Sequence, residues 1–463
     1  MGDAGARPAV LFDERVGYMI ETRFGLSSTL RRLIANTGWL FVLRMLRLAF
    51  AFFVGIWLAR YLGPERYGTL SYALAFVVLF SPLAHLGLNG PVVREIVNEP
   101  DRKYEILGTT FLLRLAGGIF CFAAASAAVL FIRPGDDLSW KLVTIIAFGL
   151  VFTPFESIDI WFQSQVRVKY AVYAKSAGLV LANLGKLYFI LTAGSLIAFA
   201  WVAALETAVS AVALLLVYRY RGYLLSAWRF SLRRARSLLG ISWPMILSGT
   251  LWMVYLRIDQ VMLREMVSDE AVGIYSTAVR ISEVWYFLPV IVSTSLFPEL
   301  VKRKKTGEGS YRAAYQKVYD FLAWTSMPVV LGLSLLADPV IRFLYGEAYA
   351  SGGVILAILI WSSPFAFMRE LYGKWLVSEA MTKFFMLAHG SGALVNVLLN
   401  LYLIPRFGGE GAAVATLVSY MVGGYLICFT HPRTRIAGVM MTKALVAPVR
   451  WLSALRGGGD SNA

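Results

Sequence analysis

Twelve times between residues 36 and 430 the chain runs for about twenty residues with few charges, the length that lets a helix cross a hydrocarbon core of about 30 Å. No other feature constrains the fold as much. In lipid every backbone N–H and C=O must be paired internally, so segments of this kind cross as α-helices. The runs cover 36 to 60, 68 to 90, 106 to 132, 142 to 163, 172 to 193, 196 to 218, 238 to 263, 271 to 297, 315 to 337, 352 to 376, 384 to 404 and 410 to 430. The narrowest division is the turn Thr192, Ala193, Gly194, Ser195 between the fifth and sixth. With 58% hydrophobic and 16% charged residues, against about a quarter charged in soluble domains, no polar stretch remains for a separate soluble domain. The expected fold is an all-α integral membrane protein.

The balance of 44 Lys+Arg over 28 Asp+Glu would suggest nucleic acid in a soluble protein, but here topology absorbs it and no nucleic-acid partner is expected. The basic residues cluster in alternate loops, including Arg229, Arg233, Arg234 and Arg236 and then Lys302, Arg303, Lys304 and Lys305. The positive-inside rule makes those loops cytoplasmic, with both termini on that side and anionic lipid nearby. Residues 1–34 carry arginines but no signal-peptide core, so they read as a cytoplasmic segment without cleavage. The stretch Ile436 to Leu455, with Lys443, Arg450 and Trp451, is short and charged and reads as an interfacial anchor. Cys121 and Cys428 both lie in apolar runs, so neither a disulfide framework nor a metal site is expected.

An internal repeat organises the chain. Glu65, Gly68, Ser71 and Ala73 form E-x-x-G-x-x-S-x-A, and Glu270, Gly273, Ser276 and Ala278 repeat it 205 residues later. Lys169, Ala174, Gly178, Leu187, Tyr188 and Ile190 recur as Lys383, Ala388, Gly392, Leu401, Tyr402 and Ile404 at an offset of 214. Two matches in near register predict an N-lobe of six helices over 35–218 and a C-lobe of six over 238–431. A basic cytoplasmic linker, 219–237, would join them, with a basic interfacial segment at 432–463. Six is even, so the halves share one orientation and flank a central cavity.

No Walker phosphate loop, G-x-G-x-x-G, H-E-x-x-H or D-x-D motif occurs, so neither an ATP-driven pump nor a glycosyltransferase is expected, and no enzyme. Ionisable residues within apolar spans are costly in lipid and therefore mark cavities or partners. Arg44 and Arg47 lie three apart on one face of the first span. Arg114, Lys186, Arg257, Arg280 and Arg369 follow in later spans. Cations converging on a cavity would bind phosphate; alternatively Arg257 pairs with Asp259, Arg280 with Glu283 and Arg369 with Glu370. Glu156, Asp159, Asp259 and Glu283 are carboxylates that could carry H⁺ or Na⁺ and couple transport to a gradient, or else balance the arginines.

Several local stretches resemble the oligosaccharide flippases of the polysaccharide biosynthesis family, within the multidrug/oligosaccharidyl-lipid/polysaccharide exporter superfamily. They are Arg60-Tyr61-Leu62-Gly63-Pro64-Glu65-Arg66-Tyr67-Gly68, Trp161-Phe162-Gln163 with Lys169-Tyr170, and Arg257-Ile258-Asp259 followed by Gly273-Ile274-Tyr275. Leu344-Tyr345-Gly346-Glu347-Ala348-Tyr349 and Asn400-Leu401-Tyr402-Leu403-Ile404-Pro405, continuing to Gly411-Ala412-Ala413, complete the set. The resemblance implies a prokaryotic cell-membrane transporter, not an enzyme, that moves a polyprenyl-diphosphate-linked oligosaccharide to the outer leaflet by alternating access. It implies no cofactor beyond a coupling H⁺ or Na⁺, with membrane lipids and polysaccharide-assembly proteins as further partners. By position, Arg44 and Arg47 match the cavity arginines of such proteins, and Arg280 is a softer match. Related multidrug antiporters use acidic residues in a more neutral cavity, whereas this chain is cation-rich inside. An organic-cation exporter, a membrane polymerase of glycan assembly and a scaffold for glycosyltransferases are the rival readings. No outer loop is long enough to house a polymerase site.

Overall fold

The computed structural model describes the backbone from Ser28 to Arg450 except Thr382 and Val449, and side chains from Met45 onward. Most of the 1–34 segment, the Arg44 side chain and residues 451–463 fall outside the described residues. Every regular element among the described residues is helical. The first half comprises α1 (Ser28–His85), α2 (Asn89–Asn98), α3 (Lys103–Ile132), α4 (Asp137–Phe148), α5 (Glu156–Ser164), α6 (Lys169–Leu191) and α7 (Leu196–Tyr220). The second comprises α8 (Leu232–Met266), α9 (Asp269–Glu283), α10 (Phe287–Thr306), α11 (Glu308–Leu335), α12 (Ala337–Tyr345), α13 (Gly352–Leu359), α14 (Ser363–Ser378), α15 (Lys383–Gly424) and α16 (Pro432–Leu445).

Ten runs among the described residues are long and apolar enough to cross a membrane, and two of these contain two crossings each. In α1 the helix breaks at Gly63, where φ is 72° and Pro64 follows. Glycine takes that left-handed conformation without penalty and proline offers no N–H to continue the ladder. In α15 the corresponding break is Gly408, at φ 53°. The described residues therefore provide twelve membrane crossings, in two lobes of six. The turn expected at Thr192–Ser195 is present: α6 stops at Leu191, Ala193 takes φ 54°, and α7 starts at Leu196. Both cysteines are buried and free.

The halves echo each other in detail. Lys169 and Lys383, matched in the repeat, each open a helix. The fourth crossing narrows to a 3-10 stretch, Gly149–Phe155, containing Pro154, and the tenth does the same at Ile360–Ser362, just before Pro364. The other repeat forms the joint between the lobes. A Cβ added to Gly68 would lie 1.7 Å from the Asp269 carbonyl oxygen, and one added to Gly273 would lie 2.0 Å from that of Pro64. The two backbones thus touch where neither could carry a side chain.

This joint lies at the end remote from the basic linker, and polar contacts between lobes surround it. Arg133, just after α3, donates to Glu265 at 3.0 Å, and Arg264 donates to Asp136 at 3.3 Å. Tyr349 donates to the Ala59 carbonyl at 2.7 Å, as does Arg60 to that of Leu344. The far end is closed by backbone contact and ion pairs together. At the opposite end Arg234 is buried and pairs with Glu95 at 2.7 Å and Glu99 at 2.6 Å.

Candidate functional site

Between the lobes lies a cavity of about 680 Å³, walled by α1 through Met45, Ala51 and Phe52 and by α9 and α10 through Arg280, Glu283 and Phe287. Arg280 is the cation that faces it. Its Nη2 donates to the Ala51 carbonyl at 2.7 Å and its Nη1 to the Tyr67 hydroxyl at 3.4 Å. A Cβ at Gly55 would fall 2.0 Å from the Arg280 Cζ, so glycine at that position makes the seat for the guanidinium. Among the described residues no carboxylate lies within ion-pair distance of Arg280. Glu283 is instead held by Arg257, through two bonds of 3.2 and 3.0 Å. The local pairs Arg257–Asp259 and Arg280–Glu283 expected from sequence proximity are therefore replaced by one cross-helix pair and one cation on neutral acceptors.

A second cavity, of about 490 Å³, is enclosed within the N-lobe and lined by Arg47, His85, Glu156, Lys175 and Glu206. Arg47 donates to the Ser176 hydroxyl at 2.9 Å. Lys175 bridges Asp159 at 2.6 Å and Glu156 at 3.6 Å, while His85 Nδ1 sits 3.4 Å from Glu156. Arg114 is fully buried, donates to Asn89 Oδ1 and feels the charges of Glu156 and Asp159. Lys186 lies within electrostatic reach of Glu206 and Arg280. The two acidic residues of the fourth crossing are thus neutralised by neighbouring cations.

The C-lobe holds the exception. Asp259 is buried and accepts from Thr416 at 2.6 Å, Tyr275 at 2.7 Å and Asn400 at 2.8 Å, all uncharged donors. Asn400 also donates to Asn396 Oδ1 at 3.0 Å, and its own Oδ1 is buried without a donor. Nearby, Arg369 does not pair with Glu370, which lies 3.9 Å from Lys374 instead. Its guanidinium stacks on Trp252 at 4.0 Å and on Tyr420 at 5.1 Å, a cation held by ring faces. Among the described residues no group of three or more His, Cys, Asp or Glu could hold a metal ion.

The match to known families is decided over residues 57–352, more than half of the chain, which fit the family described as polysaccharide biosynthesis protein. The chain belongs to that family. It is 30% identical over 187 residues to "Probable flippase AglR" of Haloferax volcanii, covering 39% of each chain, so it spans about two fifths of the length of the curated relative it matches. Its fold is similar to that of the solved "Lipid II flippase MurJ, inward closed conformation", with TM-score 0.70, 16% identity, and 90% and 92% of the two chains covered. A multidrug transporter of the MATE family, solved facing inward, is similar at TM-score 0.63 and 15% identity over 90% and 96%. This member of the family thus shares the two-lobed fold of those solved structures and is a multi-pass membrane protein.

In this family member the five candidate diphosphate-binding cations whose side chains are described do not form one cluster, and the Arg44 side chain lies outside the described residues. Arg47 and Arg114 stand in and around the N-lobe cavity, Arg280 in the cavity between lobes with Lys186 behind it, and Arg257 is committed to Glu283. The sequence shortlist omitted Lys175 and His85, and also the partners of Asp259. Asn396 and Asn400, four apart in an apolar span, were legible as one polar face; Thr416 and Tyr275 join them only through folding.

Proposed function

We propose that this protein flips a polyprenyl-diphosphate-linked oligosaccharide across the cell membrane of a prokaryote, from the cytoplasmic to the outer leaflet, by alternating access and without covalent chemistry. The observation that carries this reading is Arg280: a guanidinium at the wall of the cavity between lobes, seated against Gly55 and, among the described residues, hydrogen-bonded to a carbonyl and a phenol. A half-buried cation with no ion pair among the described residues is costly to hold, and a diphosphate entering that cavity would accept from its paired N–H donors and supply counter-charge. The carbohydrate would occupy the cavity while the apolar tail remains in lipid. The names of the relative and the structural neighbour, a probable flippase and a lipid II flippase, support a flipping activity. The positive-inside rule places the basic linker and both termini in the cytoplasm, so the closed far end is the outer gate.

Asp259 is the candidate for the coupling ion. Its carboxylate, the Thr416 and Tyr275 hydroxyls and the donorless Asn400 Oδ1 form an oxygen-rich pocket without a fixed cation, suited to H⁺ or Na⁺. Glu156, Asp159 and Glu283, by contrast, are already balanced by Lys175 and Arg257. An exporter of organic cations would need carboxylates facing the cavity between lobes; that cavity presents Arg280 and a Glu283 already held by Arg257, which disfavours that reading, although Glu206 lines the N-lobe cavity.

The test is protection of a fluorescent lipid-diphosphate oligosaccharide from an impermeant reductant in proteoliposomes. Arg280→Ala is expected to slow flipping at least tenfold, since a hydrogen bond to a charged group contributes about 1.5–3 kcal/mol. Arg280→Lys should be intermediate because it keeps charge but loses the fork. Full activity of Arg280→Ala would refute the proposal.

A further inference from the structure

A groove lies outside both cavities. It lies between the first turns of α11 and the amphipathic α16, has a volume of about 690 Å³, and is lined by Arg312, Gln316, Arg435, Lys443 and Arg450 with apolar Ile436, Val439 and Met440 between them. On α11, Arg312, Gln316 and Asp320 follow at i, i+4 and i+8 and so share one face; on α16, Arg435, Val439 and Lys443 do the same. Gln316 ties the walls together, donating to Asp320 at 2.7 Å and to the Met440 carbonyl at 2.9 Å, and Trp324 donates to the Ala444 carbonyl at 2.9 Å. The helices are thus braced on the inner side and open on the outer.

The charges do not cancel. Arg312 is engaged by Glu308 at 2.8 Å and Arg450 by Asp320 at 3.1 Å. Arg435 and Lys443 are exposed, and among the described residues neither side chain has a carboxylate within ion-pair distance. Two uncompensated cations, two turns apart and separated by Val439, border an apolar floor. The following residues of the same wall, Pro432, Ile436 and Met440, continue that floor. A ligand complementary to this surface carries negative charge at its polar end and hydrocarbon beside it.

We propose that the groove between α11 and α16 is a binding site for the phosphate headgroup of an anionic phospholipid, with Arg435 and Lys443 contacting the phosphate and Ile436, Val439 and Met440 the glycerol and first methylenes. Its position near the basic last turns of α10, Lys302–Lys305, which precede α11, puts it at the interface where such headgroups lie. The site is separate from the cavity between lobes and does not depend on the identity of the transported substrate.

The full-length protein, purified in mild detergent and incubated with phosphatidylglycerol or phosphatidylcholine, would be analysed by native mass spectrometry for bound lipid. The wild type is expected to retain phosphatidylglycerol in preference to phosphatidylcholine. The double variant Arg435→Gln/Lys443→Gln should bind it about thirtyfold more weakly, at about fivefold for each basic residue lost near an anionic headgroup. Arg233→Gln/Arg236→Gln, two exposed positions in the linker, should bind as the wild type does. Inorganic phosphate and glycerol 3-phosphate at millimolar concentration should fail to displace the lipid; displacement by either would overturn the lipid assignment in favour of a soluble phosphate ester. Equal retention of the two lipids, or undiminished retention by the double variant, would also overturn it.

Discussion

The contact between Gly68 and Gly273 offers the sharpest test of how the lobes close. In Gly68→Ala the new Cβ would stand 1.7 Å from the Asp269 carbonyl oxygen, while ordinary contact begins near 3.4 Å, so the lobes must separate by about 1.7 Å or a helix must bend. The obstacle is backbone on both sides, which no rotamer change relieves. Overpacking of this kind costs about 1–3 kcal/mol, which at about 1.4 kcal/mol per factor of ten lowers the closed-far-end population about 5- to 150-fold. Spin labels at Asp137 and Ala348, exposed positions on opposite lobes near the joint, would report the separation by pulsed electron resonance. The native Cys121 and Cys428 are buried and should stay unlabelled. Gly68→Ala should broaden the distance distribution toward longer values and slow flipping, whereas Gly240→Ala, where a Cβ meets nothing within 4 Å, should change neither. An unaltered distribution in Gly68→Ala would refute the idea that the repeated glycines set the closure.

Other outcomes follow from named contacts. Gly55→Ala should displace the Arg280 guanidinium, whose Cζ lies 2.0 Å from the new Cβ, and lower flipping severalfold without changing any charge; full activity would show that the seat is immaterial. Asp259→Asn should still bind the lipid-linked substrate but lose the response of flipping to an imposed Na⁺ or pH gradient, measured in the same proteoliposomes. At the far end, burial pushes Asp136 up, but donation from Ser139 and Arg133 with the charge of Arg264 outweighs it and holds the carboxyl below its ordinary 3.8. Because the folded value is depressed, its contribution to closure is complete above about that pH and fades as pH falls below it. The Asp137–Ala348 distance should therefore lengthen below about pH 4, as Arg133 and Arg264 lose the Asp136 carboxylate as a partner. Asp136→Asn should already show part of that lengthening at neutral pH.

The crossings were legible in the sequence because each rests on local information: a run of apolar side chains long enough for the bilayer, ended by Gly63-Pro64 or by the short turn at Thr192. The repeat was legible too, and predicted two similar halves. What Gly68 and Gly273 are for was not, since a glycine in an apolar span looks the same whether it faces lipid, a ligand or another backbone. Arg257 and Arg280 teach the same lesson about charge. Sequence neighbours suggested Asp259 and Glu283 as their respective partners, yet helical periodicity decides only which residues share a face, and the packing of α8 against α9 gave Glu283 to Arg257.

The sequence by itself determined that this chain is a bundle of membrane helices in two related halves, because hydrophobic length and repeat spacing are properties of the chain one segment at a time. Only the tertiary structure decided that Arg280 rests on neutral acceptors, that Asp259 is held by uncharged donors, and where the lobes seal. Those depend on distances between residues more than a hundred positions apart, such as the 229 that separate Ala51 from Arg280, and in a low-dielectric interior such distances set whether a charge is balanced or available to a ligand.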